Sequence, residues 1–169
     1  MRKLAIHQLA YSQWLPVPPV QAFTFFERPE NLALVTPPAL DFDLLTPSPV
    51  KMRRGAVIDY TIRQLGVRLR WRTLISDYRP PRLFVDEQLS GPYSLWRHEH
   101  RFSAEADGTR MLDSVTYALP NALPDRVAAW LERRYVRPQL EGIFGYRELR
   151  FRELLTADDA LTVERLEHA

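Results

Sequence analysis

Between Leu40 and Leu119 turn-forming residues recur at short intervals, and after Pro120 they almost cease; nothing else in the chain restricts its fold as much. Pro47, Pro49, Gly55, Gly66, Pro80-Pro81, Gly91-Pro92 and Asp107-Gly108 cut the first stretch into segments suited to strands. Six are expected, at about 39–46, 55–65, 67–79, 82–90, 93–105 and 109–119. The third shows its nature most clearly. Val67, Leu69, Trp71, Thr73 and Ile75 alternate with Arg68, Arg70, Arg72, Leu74 and Ser76, which gives an antiparallel strand one apolar and one charged face. A turn at Leu65-Gly66 sets Val67, Leu69, Trp71 and Thr73 across from Gln64, Ile62, Tyr60 and Ile58, so both strands agree on which face turns inward.

Residues 125–155 read as one long helix with an apolar stripe of Val127, Trp130, Leu131, Leu140, Ile143, Phe144, Phe151 and Leu155. Pro138 lacks an N–H and crowds the preceding turn, so it is expected to kink or divide that helix. Gly142 and Gly145 weaken the same region or admit a close neighbour. Upstream, residues 4–15 suit a first strand. Pro16-Val17-Pro18-Pro19 then leads into short helices at 20–26 and 29–35, the second stopped by Thr36-Pro37-Pro38. This order is that of the helix-grip fold, an α+β architecture: a curved seven-stranded antiparallel sheet, with two short helices after the first strand, wraps a long C-terminal helix. A cavity commonly lies between sheet and helix in that arrangement. Residues 1–155 are expected to form one such domain and residues 156–169 an acidic C-terminal tail.

Composition removes several chemistries. The 169 residues, 46% of them hydrophobic, suffice for one domain with a sizeable core. The absence of cysteine excludes disulfide scaffolds, thiol nucleophiles, Cys zinc sites and iron–sulfur clusters. His7, His98, His100 and His168 are therefore the only imidazoles available. A formal charge of +2 makes the pI near 9.1 weak support for a nucleic-acid partner, and none is expected. No apolar run is long enough for a membrane span or a signal peptide, so a soluble cytoplasmic protein is expected, with room for transient membrane contact.

Several stretches carry a family resemblance: Thr36-Pro37-Pro38, Met52-Arg53-Arg54-Gly55, Ile58-Asp59-Tyr60, Trp71-Arg72-Thr73, Pro80-Pro81-Arg82-Leu83-Phe84-Val85-Asp86-Glu87-Gln88, Gly91-Pro92-Tyr93, Gly108-Thr109 and Gln139-Leu140-Glu141-Gly142-Ile143-Phe144. With Trp96-Arg97-His98-Glu99-His100-Arg101-Phe102 they span about residues 15 to 150. The chain resembles bacterial members of the SRPBCC superfamily, the START-like helix-grip proteins, and especially a polyketide cyclase-like, ligand-binding subgroup. The resemblance implies a pocket for a lipid, isoprenoid, polyketide or other apolar molecule. It supplies no catalytic motif and no cofactor, and fold alone does not choose among such functions.

His98 and His100 lie two apart on a predicted strand, sharing a face with Trp96 and Phe102 while Arg97, Glu99 and Arg101 take the other. Turning the chain at Gly91-Pro92 sets Val85 opposite His98 and Glu87 opposite Trp96. A turn near Asp107-Gly108 sets Val115 opposite His100 and Asp113 opposite Phe102. Glu87, His98, His100, Asp113 and Tyr117 would then form a polar band on an apolar concave wall. That band could satisfy itself structurally, hydrogen-bond the polar end of an apolar ligand, or act as acid and base with His98 or His100 as candidate catalysts. Two histidines plus a carboxylate could also hold a metal, but His-x-His on a strand is weak evidence, and no metal is assigned. The expected ligand-binding set is Ile58, Tyr60, Ile62, Leu69, Trp71, Glu87, Trp96, His98, His100, Phe102, Asp113, Tyr117 and Ile143. Binding or carriage of a hydrophobic molecule leads. A cyclase or dehydratase in the same cavity, or a regulatory protein-interaction module, are the alternatives.

Overall fold

The computed structural model describes residues 4–64 and 66–156. All but Thr156 of the expected acidic tail lies outside the described residues. Seven antiparallel strands form one sheet: β1 (His7–Leu15), β2 (Asp43–Leu44), β3 (Val57–Gln64), β4 (Val67–Arg79), β5 (Leu83–Ser90), β6 (Leu95–Glu105) and β7 (Gly108–Ala118). Their spatial order is β1-β7-β6-β5-β4-β3-β2, so β2 to β7 run as consecutive neighbours and β1 closes the far edge against β7. Two register shifts in the β4–β5 pairing, between Arg72 and Thr73 and between Ile75 and Asp77, mark bulges that bend the sheet.

The β3–β4 pairing follows the alternation of its residues: Trp71 faces Tyr60 and Leu69 faces Ile62. Gly66, at φ 80°, supplies the left-handed backbone of that turn. The outward arginines meet acids nearby. Arg72 makes two 2.9 Å bonds to Asp59, and Arg63 reaches Asp41 at 3.1 Å. The expected strand at 39–46 shrinks to Asp43–Leu44, because Pro37 and Pro38 open a 3-10 turn over Pro38–Leu40 that ends in left-handed Asp41.

After β1, α1 (Pro19–Phe26) begins at a proline whose missing N–H would lack a helical partner anyway. The next short helix, Pro29–Val35, is a 3-10 helix rather than an α-helix. At the C-terminus the expected single helix has three parts: α2 (Asp125–Leu131), a π-helical turn (Glu132–Val136) and α3 (Arg137–Thr156). Pro138 neither ends nor splits the rod; the wider turn ahead of it absorbs the disturbance, with the Arg137 N–H bonded to the Glu132 carbonyl. The apolar stripe is buried only within α3. Val127 and Trp130 of α2 are 41% and 52% exposed. A Cβ added at Gly142 or Gly145 would meet nothing within 4 Å, so neither glycine serves a close approach.

The apolar interior has two centres. One joins Phe23 and Phe25 of α1 to Phe84, Phe102, Met111 and Phe151; the other joins Leu9, Trp71, Tyr93, Tyr117, Leu140 and Phe144. Because α3 contributes to both, it crosses the concave face of the sheet and leaves space between the two clusters.

Candidate functional site

That space is a pocket of about 180 Å³ between the inner face of β3 to β6 and α3, closed at one end by α1 and the following 3-10 helix. Its walls are mainly aliphatic and aromatic. Ile58, Tyr60 and Ile62 of β3, Trp71 of β4, Trp96, His98 and His100 of β6 and Ile143 of α3 all line it. Gln64 bridges its rim, with Nε2 donating to Tyr93 Oη and to Gln139 Oε1, both at 3.2 Å. Tyr60 and Trp71 stack with ring centres 5.9 Å apart, and Trp96 meets Trp71 edge-on at 5.0 Å.

Five residues of the expected set do not line the pocket. Leu69 stands one pleat nearer the β3–β4 turn than Trp71 and is only half-buried. Phe102 packs against Phe23 and Phe26, at 5.4 Å each, in the cluster beneath α1. Tyr117 is fully buried, and its hydroxyl donates at 3.0 Å to Glu132, the first residue of the π turn. Asp113 lies behind the histidines rather than beside the cavity. Glu87 points to the outer face, 3.5 Å from Arg97.

Glu87 is displaced by a one-residue register difference. In the β5–β6 pairing Asp86, not Val85, faces His98, and Glu87 faces Arg97. Since strand side chains alternate, one step exchanges the two faces and brings Asp86 to the pocket. The connection supplies the reason: Tyr93 folds into the core, and Gln88 holds the loop by donating to the Tyr93 carbonyl at 2.7 Å. The turn therefore centres on Pro92 instead of between Gly91 and Pro92. The β6–β7 pairing differs by two residues, Asp113 facing His100, and an even step preserves both faces.

The result is a buried cluster of two histidines and two aspartates drawn from three adjacent strands. His98 Nε2 donates to Asp113 Oδ1 at 3.0 Å, and His100 Nε2 donates to Asp86 Oδ2 at 3.1 Å. His100 Nδ1 lies 2.7 Å from the same Asp113 oxygen, but off the direction of a hydrogen bond, so that contact is ionic only. The two rings are 3.8 Å apart, and Phe84 stacks on His100 at 4.1 Å.

Burial and the neighbouring His100 charge lower the pKa of His98. Burial also opposes the His100 cation, but Asp113 and Asp86 outweigh it and raise its pKa. Although desolvation disfavours their charged forms, the histidines hold Asp86 and Asp113 below the ordinary carboxylate range. The surroundings thus favour the neutral form of His98 and the charged form of His100, between two carboxylates. Asp86, His98 and His100 also bring one ligand-type atom each within 4.8 Å of one another, the one such grouping among the described residues. A cation there would compete with protonation of His100.

A further cation completes the polar end. Arg147 of α3 lines the pocket and is 8% exposed. Its guanidinium carbon sits 5.3 Å from the centre of the Phe144 ring. Burial lowers its pKa, and the charges of Asp113 and Asp86 partly restore it. Neither Asp86 nor Arg147 belongs to the expected set. Arg147 was nonetheless visible in the stripe spacing, since Leu140, Ile143, Phe144, Arg147 and Phe151 share one helical face.

Fold and site together define a helix-grip protein with a mainly apolar pocket that carries a buried cluster of ionisable groups. Residues 15–144 match the model of the polyketide cyclase/dehydrase and lipid transport family, and the chain belongs to that family, within the SRPBCC superfamily. Membership supports a hydrophobic ligand-binding or cyclase role.

Solved structures share the fold. The Zhui aromatase/cyclase from Streptomyces sp. R1128 superposes with a TM-score of 0.66 at 15% identity, over 92% of this chain and 100% of that one. Protein Ms6760 from Mycobacterium smegmatis gives 0.65 at 15% identity, over 89% and 91%. Ara h 8.0201 gives 0.57 at 20%, over 87% and 98%. No curated protein sequence matches the chain. No helix among the described residues is long and apolar enough to cross a membrane.

Proposed function

We propose that this protein binds and carries an apolar small molecule in the pocket between the sheet and α3. The observation that carries the reading is the pocket wall. Aromatic and aliphatic side chains from β3, β4, β6 and α3 surround it, and apart from Arg28 its ionisable side chains other than tyrosine are His98, His100, Asp86 and Arg147. Such a division, an apolar chamber with few polar groups that fix orientation, is what small-molecule sites require. Ile58, Tyr60, Ile62, Trp71, Trp96 and Ile143 hold the apolar body in this reading, and the polar cluster faces its functional end.

Native mass spectrometry of the purified protein, followed by extraction and identification of what it retains, tests the proposal. A defined apolar compound is expected on the wild type. It should be absent from Ile143→Trp, whose indole would fill the chamber while leaving the sheet intact. Retention of nothing from a broad apolar panel, or equal retention by the filled variant, would overturn it.

A second reading has a specific observation behind it: two imidazoles 3.8 Å apart line the pocket, and their surroundings shift their basicities in opposite directions, as suits an acid–base pair. The similarity to an aromatase/cyclase is compatible with this. Turnover of the extracted compound that falls in both His98→Asn and His100→Asn would favour the enzyme; unchanged turnover would remove both residues as catalysts.

A further inference from the structure

Three buried nitrogens of the pocket lining have no hydrogen-bond partner, Trp71 Nε1, His100 Nδ1 and Arg147 Nε, and of their side chains Arg147 alone has no ion pair yet always carries a charge. It is more than nine-tenths buried, it lines the cavity, and its Nε has no hydrogen-bond partner. The two carboxylates in the neighbourhood are committed elsewhere. Asp113 directs Oδ1 to His98 and His100, and Asp86 directs Oδ2 to the same two rings, so both act on Arg147 through space without an ion-pair contact. Phe144 lies against the guanidinium, which offers its cation a ring face but no acceptor. A buried charge lacking hydrogen bonds is among the least favourable features a fold can keep. Its place inside a chamber points to an acceptor that arrives with the ligand.

Resting on the carrier reading above, we propose that Arg147 anchors the carboxylate of an apolar monocarboxylic acid whose hydrocarbon part fills the rest of the pocket. A planar guanidinium presents parallel N–H groups that match the two oxygens of a carboxylate. A doubly charged headgroup such as phosphate fits less well, because the nearby charges of Asp86 and Asp113 oppose a second negative charge at Arg147. The ligand's chain would run from Arg147 past Ile143 towards Ile62 and Trp71.

The test pairs acids with their own neutral esters. Purified protein is titrated with dodecanoic acid and methyl dodecanoate, and with naphthaleneacetic acid and its methyl ester, reading tryptophan fluorescence from Trp71 and Trp96. At least one acid is expected to bind tighter than its ester by about tenfold to a hundredfold, the worth of a charged hydrogen bond. In Arg147→Gln the preference should vanish while the ester binds as before. Arg147→Met should melt at no lower a temperature than the wild type, since it removes a charge with no partner. Equal binding of acid and ester by the wild type, a preserved preference in Arg147→Gln, or a large loss of melting temperature in Arg147→Met would each overturn the anchor. Ester binding without acid preference would leave the carrier reading standing, whereas binding of neither acid nor ester would remove both.

Discussion

Two histidines two positions apart, on one face of one strand, are driven in opposite directions by their surroundings, and stability should record it. Below the ordinary imidazole value of 6.5, an unfolded chain protonates His98 while the folded chain keeps it neutral. The unfolded state then binds more protons, so stability rises with pH towards 6.5. His100 contributes the reverse: its stabilisation is complete below 6.5 and is lost as pH climbs through its raised folded value. Urea unfolding from about pH 5 to pH 9 is expected to show a maximum near pH 6.5 from this pair. His98→Asn should flatten the acid limb and His100→Asn the alkaline one. A profile unchanged by both substitutions would mean that the two imidazoles are not shifted in opposite directions. Period-two alternation was enough to put both histidines on the inner face; their inequality depends on Asp86 and Asp113, which come from other strands.

At the scale of elements, strand identities and faces were legible because alternation is a local property, whereas pairing depends on the connection between strands. β3 and β4 join through a tight turn at Gly66, and their register follows from it. β5 and β6 join through a loop whose centre is set by Tyr93 packing inward, which local composition does not reveal, and Asp86 replaces Glu87 at the site for that reason. The C-terminal helix offers a comparable case. Pro138 signalled a disturbance correctly, but the π turn that accommodates it also buries Glu132, which accepts from Tyr117 at 3.0 Å and Arg137 at 2.9 Å. Gly142 and Gly145 sit on the exposed side of α3 with open space around them. Replacing each by Ala should raise unfolding free energy by roughly 0.5–1 kcal/mol, since Gly is the poorer helix former. Urea midpoints of the two variants check this, and a loss of stability in either would show that the glycine has a packing or functional role.

Across the whole molecule, the chain builds two apolar clusters joined by α3, with the pocket between them. A ligand that fills the gap binds the folded state alone, so its effect on melting should follow mass action. At a free concentration of about one hundred times Kd, stabilisation of about 2.7 kcal/mol is expected for the wild type and none for Ile143→Trp. Thermal melts over a concentration series measure both. A shift of equal size in the filled variant would place binding outside this pocket.

Sequence by itself determined the element order, the inner faces of β3, β4 and β6, and the chemistry that a chain without cysteine lacks. These depend on the spacing of neighbouring residues and on composition, which folding does not alter. Tertiary structure alone decided that Asp86 joins the histidines, that Asp113 sits behind them, and that Arg147 enters an apolar chamber without a partner. Those outcomes depend on register and on where a helix crosses a bent sheet. Both are fixed by contacts between residues far apart in the chain, whose local patterns are equally satisfied by other pairings.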